Sequence, residues 1–181
     1  MRQAVFLDRD GVLTRALVRD GRAYAPVVPA EMEIDADAPT ALARLKAAGF
    51  LLVVVTNQPD VARGTTRREN VESMHVTLCA ALPLEAVFVC YHDDRDRCDC
   101  RKPKPGMLLA AAARHRIDLA RSFMVGDRWR DIDAGAAAGC RTIRIDRGYD
   151  ERAPEHPPDA RVDSLRAAAD WILTITERRV V

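Results

Sequence analysis

Ala4-Val5-Phe6-Leu7-Asp8-Arg9-Asp10-Gly11-Val12 is the stretch from which the rest of the chain is read. A short apolar run of strand type breaks off at two carboxylates one residue apart and then a glycine, so the acids are expected where a buried strand leaves its sheet. An open α/β sheet places its chemistry at that end of its strands. In extended chain Asp8 and Asp10 would share a face opposite Arg9, and a turn starting here can aim both carboxylates into one crevice. Two acids this close repel unless something positive lies beside them, and a hard cation with oxygen ligands such as Mg²⁺ answers that need. The competing reading is a plain Asp-Gly turn after a core strand. The choice between them rests on how the other strands end.

Working outward, residues 50–55 form a continuous apolar, β-branched run that ends in Thr56-Asn57-Gln58, as expected of a strand buried on both faces. Residues 86–89 are a third strand, running into a charged segment that reaches Arg101-Lys102. Residues 122–125 are a fourth, ending in Gly126-Asp127-Arg128, and 141–145 a fifth. Helical patterns occupy 38–48 with Gly49 as a stop, 65–82, 107–116 introduced by Pro105-Gly106, 130–138 stopped by Gly139, and 164–176 with an apolar face through Leu165, Ala168, Trp171, Ile172 and Ile175. Strands alternating with helices at this spacing predict an α/β fold, a doubly wound, Rossmann-like parallel sheet with helices on both faces and right-handed crossovers. Residues 13–34 are irregular, with a small hairpin expected around Arg19-Asp20-Gly21-Arg22. A loop of that length beside a candidate site reads as a lid or substrate rim. Residues 151–159, with Pro154, Pro157 and Pro158, read as a connector.

The 181 residues are expected to form one domain over 1–181, long enough to bury a full sheet. Hydrophobic residues at 48%, charged residues at 30% and a net charge of +1 describe a soluble protein with no bulk preference for nucleic acid or membrane, so any anion must be held by a local site. The chain is expected to be a monomer with a small-molecule partner. It carries neither an apolar run long enough to span a membrane nor a signal peptide, which predicts a cytoplasmic location. In that compartment its five cysteines should be thiols or metal ligands.

Four apolar strands thus end in, or lead into, Asp8 and Asp10, Thr56 and Asn57, Arg101 and Lys102, and Gly126-Asp127. Parallel strands point their carboxyl ends the same way, so all four sets can meet at one edge. Carboxylates hold Mg²⁺, while a hydroxyl, an amide and a lysine are donors suited to phosphoryl oxygens. Lys102 would offset the repulsion between Asp8 and a phosphate. Asp131, one turn beyond Asp127, reads equally as a group that orients the lysine or a metal-bound water and as a solvated helix charge.

A second cluster is Cys90-x-His92-x5-Cys98-x-Cys100. Three cysteines and a histidine amid Asp and Arg do not make a core, and a Cys₃His set closes the tetrahedral shell of Zn²⁺ with no open position. A redox pair or chance clustering leaves His92 unexplained. Zinc would order this charged loop and so fix Arg101 and Lys102, which follow its last ligand.

Asp8-x-Asp10-Gly-Val, Thr56 after an apolar strand, Lys102-Pro, and Gly126-Asp127 with Asp131 resemble, in order, the four motifs of the haloacid dehalogenase superfamily of phosphohydrolases, from Val5 to about Ile145. The resemblance implies that Asp8 is the nucleophile and forms an aspartyl-phosphate, and that Asp10 protonates the leaving group and then activates water. It also implies a Mg²⁺ held by the Asp8 carboxylate, the Asp10 main-chain carbonyl and Asp127. The zinc loop, with Thr56-Asn57-Gln58 and Val61-Ala62-Arg63-Gly64, narrows it to the zinc-containing branch without a large cap domain, which includes heptose bisphosphate and histidinol-phosphate phosphatases. A heptose bisphosphate is favoured over histidinol phosphate. The same resemblance implies Ser-Gly where this chain has Pro59-Asp60 and a lysine form where it has Trp129-Arg130, both beside the substrate. The contrasting reading, a catalytically silent zinc-stabilised binding module, sits poorly with intact Asp8, Asp10, Lys102 and Asp127.

The expected catalytic set is therefore Asp8, Asp10, Thr56, Arg101 and Lys102, with Asn57 and Arg63 facing the substrate. Arg63 is also readable as a helix-entry charge. Cys79 and Cys140 are expected to be core thiols and Trp171 a core residue; His75 and His115 read as packing or surface residues and His156 as solvated. The gaps after Asp10 and between Thr56 and Lys102 are too short for an independent folded cap.

Overall fold

The computed structural model describes residues 1–177. Among them, six parallel strands form one sheet in the order β5-β4-β1-β6-β7-β8: β1 is Ala4–Leu7, β4 Leu51–Asn57, β5 Ala86–Cys90, β6 Phe123–Gly126, β7 Arg141–Ile145 and β8 Ala160–Val162. Strands β2 (Leu17–Arg19) and β3 (Arg22–Tyr24) make the small antiparallel hairpin expected around Asp20-Gly21. Chain order within the large sheet reverses between β1 and β6, and a doubly wound sheet opens its ligand crevice at such a reversal. Asp8 follows β1 and Asp127 follows β6, so the acids meet at the switch point.

The apolar runs are continuous because both faces of the sheet are covered. From β1, Val5 and Leu7 pack with Ala41, Leu42 and Leu45 of α1 (Ala38–Ala47) and with Leu165, Ala168 and Ile172 of α5 (Leu165–Glu177). Ala4 and Phe6 point the other way, onto Met107, Leu108 and Ala111 of α3 (Gly106–His115) and Ala134 and Ala138 of α4 (Trp129–Ala138). The remaining helix, α2, is Arg68–Ala81 and starts three residues later than its apolar pattern suggests. Thr66 accounts for the delay: its hydroxyl donates to the Val27 carbonyl at 2.5 Å and holds the chain in a turn. Trp171 packs edge-on against Phe123 as a core residue should.

Two expectations are corrected. Cys79 lies on the solvent side of α2 and is exposed, while Cys140 is buried as expected. Strand β8 was not foreseen, because Ala-Arg-Val is too short to show a period; its ladder to Ile143, Arg144 and Ile145 is what makes it a strand. Among the described residues, no helix is long and apolar enough to cross a membrane.

Candidate active site and metal centres

The turn after β1 is set by close packing. The Asp8 amide donates to the Val125 carbonyl at 3.0 Å, and Gly11 has φ +90°, where a Cβ would fall 1.8 Å from Asp127 Oδ2. Only glycine fits there. Lys102 is 1% exposed and lies in the middle of the site: its Nζ reaches Asp8 Oδ1 at 2.9 Å, Asp131 Oδ1 at 2.5 Å and the Val55 carbonyl at 2.7 Å. Burial works against a charged lysine, but Asp131 and Asp8 more than reverse it and hold Lys102 above the ordinary lysine range. Asp131 is 1% exposed, and its other oxygen accepts from the Arg128 amide at 3.0 Å. It is therefore a buried partner of the lysine, and the solvated-charge reading falls.

Asp8, Asp127 and Asp131 each place a carboxylate oxygen within 4.8 Å of the others. Burial first, then the charge of Asp131, raises the Asp8 carboxyl to about 6 despite Lys102 beside it. Burial, with Asp8 and Asp131, also pushes Asp127 well above the usual carboxylate range. Both Asp127 oxygens are buried and neither makes a well-aligned hydrogen bond, although the Tyr149 hydroxyl lies beside them. Three buried carboxylates against one ammonium leave surplus negative charge, and the Asp127 oxygens, with only the Tyr149 hydroxyl beside them, leave acceptor capacity unused. A hard dication fits both facts.

Asp10 stands apart from that trio. Its carboxylate accepts two bonds from the Arg9 guanidinium (2.9 and 2.8 Å), one from Gln58 Nε2 (2.8 Å) and one from the Thr14 hydroxyl (3.2 Å). Arg9 is fully buried, folded onto its neighbour, and its Nη1 lies 3.3 Å from Nε2 of His75. Burial, reinforced by Arg9, lowers His75 to about 4. A histidine held below its ordinary 6.5 stays neutral in the fold while the unfolded chain takes up a proton. Its stabilising effect is complete above pH 6.5 and is lost as pH falls toward 4, by up to about 3 kcal/mol. His75→Gln should therefore flatten the acid side of a Tm-versus-pH curve between pH 6.5 and 4. An unchanged acid limb would mean that His75 is protonated in the folded protein.

Above these groups opens a cleft of about 220 Å³, lined by Asp8, Asp10 and Lys102 on its floor and by Asn57, Pro59, Asp60, Arg63, Arg101, Arg128, Arg130 and the Ala23–Tyr24–Ala25 segment on its walls. The amide of Asn57 is used at both ends by the main chain of Lys102, donating to its carbonyl at 3.0 Å and accepting from its amide at 3.1 Å. Thr56 is 1% exposed, and its hydroxyl accepts from Gln58 Nε2 at 2.9 Å. Arg63 is held by Asp93 at 2.7 Å, and Arg101 by Asp94 at 2.8 Å and by the His92 carbonyl at 3.3 Å. Both wall arginines are thus anchored to the Cys/His loop.

In that loop the Cys90, Cys98 and Cys100 sulfurs lie 3.2–3.7 Å apart, and His92 Nδ1 is 3.6 Å from Cys90 Sγ and 3.3 Å from Cys100 Sγ. A tetrahedral Zn²⁺ with bonds of about 2.3 Å to sulfur and about 2.0 Å to nitrogen needs edges of roughly 3.5–3.8 Å. The separations lie at those edges or a few tenths of an ångström inside them, so a small outward shift of the donors would seat the ion. Arg9, Thr14 and His75 escaped the sequence reading as site residues, Gln58 was read only as part of a motif, and Arg130 was placed beside the substrate without a partner. Only Arg9 carried a signal, a cation between two acids.

A doubly wound sheet with buried acids and a lysine at its switch point is the construction of a phosphate-handling hydrolase. Residues 99–168 match the family model described as "HAD-hyrolase-like". The chain is 36% identical over 160 residues to D-glycero-beta-D-manno-heptose-1,7-bisphosphate 7-phosphatase of Pseudomonas putida, covering 83% of this chain and 86% of that one. It is 34% identical to D-glycero-D-manno-heptose-1,7-bisphosphate 7-phosphatase of Thermosynechococcus vestitus, covering 96% of each. The crystal structure of D,D-heptose 1.7-bisphosphate phosphatase from B. bronchiseptica, complexed with magnesium and phosphate, superposes with a TM-score of 0.81 at 32% identity, covering 96% of this chain and 99% of that one. The chain belongs to the haloacid dehalogenase-like hydrolases, and within them it is a phosphatase.

Proposed function

We propose that the protein removes the 7-phosphate of a D-glycero-D-manno-heptose 1,7-bisphosphate through an aspartyl-phosphate on Asp8. The observation that carries the reading is Lys102 Nζ, bonded at once to Asp8 Oδ1 and Asp131 Oδ1, with the buried Asp127 carboxylate within 4.8 Å of both acids. An Asp8 oxygen attacks phosphorus, the bond from phosphorus to the sugar oxygen breaks, and Asp10 gives that oxygen its proton. Asp10 then takes a proton from water, whose oxygen attacks phosphorus and frees Asp8. Mg²⁺ held by Asp8, Asp127 and the Asp10 carbonyl would offset the surplus negative charge and draw electrons from the phosphoryl oxygens. Zn²⁺ in the Cys₃His loop would be structural. Named relatives support the heptose substrate over histidinol phosphate.

A panel of phosphorylated metabolites, assayed with and without EDTA, tests this, with the position of release followed by phosphorus NMR. EDTA-sensitive loss of the 7-phosphate, in preference to histidinol phosphate, is expected; equal rates across the panel would overturn the substrate assignment. The cleft stays open, so charge placement on its walls rather than enclosure should select the substrate. Arg63→Ala and Arg101→Ala should then lower kcat/KM on the bisphosphate by about 10-fold or more, against little change on a small aryl phosphate that lacks the distal groups. Equal losses on both would assign these arginines to the transferred phosphoryl group.

A further inference from the structure

Arg9 heads the fully buried side chains by size, and the steps above give it nothing to do. Buried guanidinium groups are rare without a partner, and here each of the three nitrogens has one. Nε and Nη2 make parallel bonds to Asp10 Oδ1 and Oδ2, at 2.9 and 2.8 Å, and Nη1 meets His75 Nε2 at 3.3 Å. A guanidinium only donates, so His75 Nε2 must be the acceptor, and the imidazole is neutral with its proton on Nδ1.

We propose that Arg9, braced by His75, is a positioning residue that fixes the plane of the Asp10 carboxylate for proton transfer without touching substrate. The inference rests on the reading of Asp10 as proton donor. Two parallel charge-assisted bonds set both the distance and the plane of a carboxylate, which a single donor cannot do. The guanidinium does not lose its proton, so it holds Asp10 without relaying anything.

The other two donors show where the transferred proton sits. Gln58 Nε2 bonds Asp10 Oδ2 at 2.8 Å. The Thr14 hydroxyl has one hydrogen and two acceptors at equal distance, Asp10 Oδ1 and the Arg9 carbonyl, both 3.2 Å away. Turned to the carbonyl, it leaves Oδ1 with one lone pair that the Arg9 fork does not use. The proton is carried there: it leaves Oδ1 for the ester oxygen as the bond to phosphorus breaks, and one returns from water as Asp8 is released. Loss of the guanidinium fork lets the carboxylate turn, and the donor then spends its time out of line with the leaving oxygen.

The test separates positioning from folding by the need for a proton. An alkyl phosphate needs its leaving oxygen protonated, whereas p-nitrophenyl phosphate does not, and kcat/KM reports the steps up to that first cleavage. Arg9→Lys and Arg9→Gln should lower kcat/KM on the alkyl ester about 10²-fold and on the aryl ester by no more than about threefold. His75→Leu should act in the same direction, and His75→Gln, which keeps an acceptor, should restore most of the difference. The two His75 variants leave the ion pair intact and keep the test open should the Arg9 variants fail to fold. Equal losses on both esters in Arg9→Lys and His75→Leu would overturn the inference. Discrimination in Asp10→Asn with none in the Arg9 and His75 variants would overturn it alone; no discrimination in Asp10→Asn would bring down the proton-donor reading and the inference with it.

Discussion

Asp8→Asn is expected to lower turnover by on the order of 10⁴-fold or more while the protein still folds, because the substitution removes the attacking oxygen and almost nothing else. The geometry allows the fold to survive. Lys102 keeps Asp131 at 2.5 Å and the Val55 carbonyl at 2.7 Å, so no buried cation is orphaned. In EDTA the variant should be no less stable than the parent at pH 7, for a reason that can be signed. The Asp8 carboxyl is raised from 3.8 to about 6 in the fold, so the unfolded chain ionises first. The metal-free protein therefore loses stability as pH rises from about 4 to 6, and an amide removes that loss. Added Mg²⁺ should raise the Tm of the parent more than that of the variant, since one oxygen ligand is gone. Turnover like that of the parent in a clean Asp8→Asn preparation would end the aspartyl-phosphate route.

Zinc supplies the second large effect. Protein purified without chelator should hold about one zinc per chain. Cys98→Ser should lose it, with a drop of several kcal/mol in stability, since structural zinc sites hold on the order of 10 kcal/mol of binding energy. Little else can hold the loop. Its 94–96 turn is capped by Asp93 and Asp96, and residues 94–97 are exposed, with only the cysteines turned to a core. Activity should fall with the metal because Asp93, Asp94 and the His92 carbonyl hold Arg63 and Arg101, and Lys102 follows directly. Cys79→Ser is the matched control: that thiol is exposed on α2, and its loss should change neither metal content nor rate. Full activity in Cys98→Ser without zinc would show that the loop holds its shape unaided.

Much of this was legible in the sequence because it rests on local pattern. An apolar run followed by acids, repeated with hydroxyl, lysine and glycine-aspartate endings, specifies parallel strands whose polar tips gather at one edge. Two-faced burial makes such strands continuous, and that is a signal a linear reading can use. The Cys/His spacing is equally local, since four ligands within eleven residues leave few ways to close a tetrahedron.

Tertiary structure alone decided the partnerships. Whether Asp131 is solvated or buried depends on how α4 packs beneath Lys102, a residue 29 positions away. Strand alternation predicts that Arg9 faces away from Asp10, yet the chain leaves the strand at Asp8 and the guanidinium folds back onto its neighbour. His75 meets Arg9 across 66 residues, and Gln58 joins Thr56 to Asp10. Strand β8 exists only because β7 offers it a ladder. Periodicity records which face of an element is buried; it carries no information on which buried polar group will meet which, because that is fixed by the packing of elements far apart in the chain.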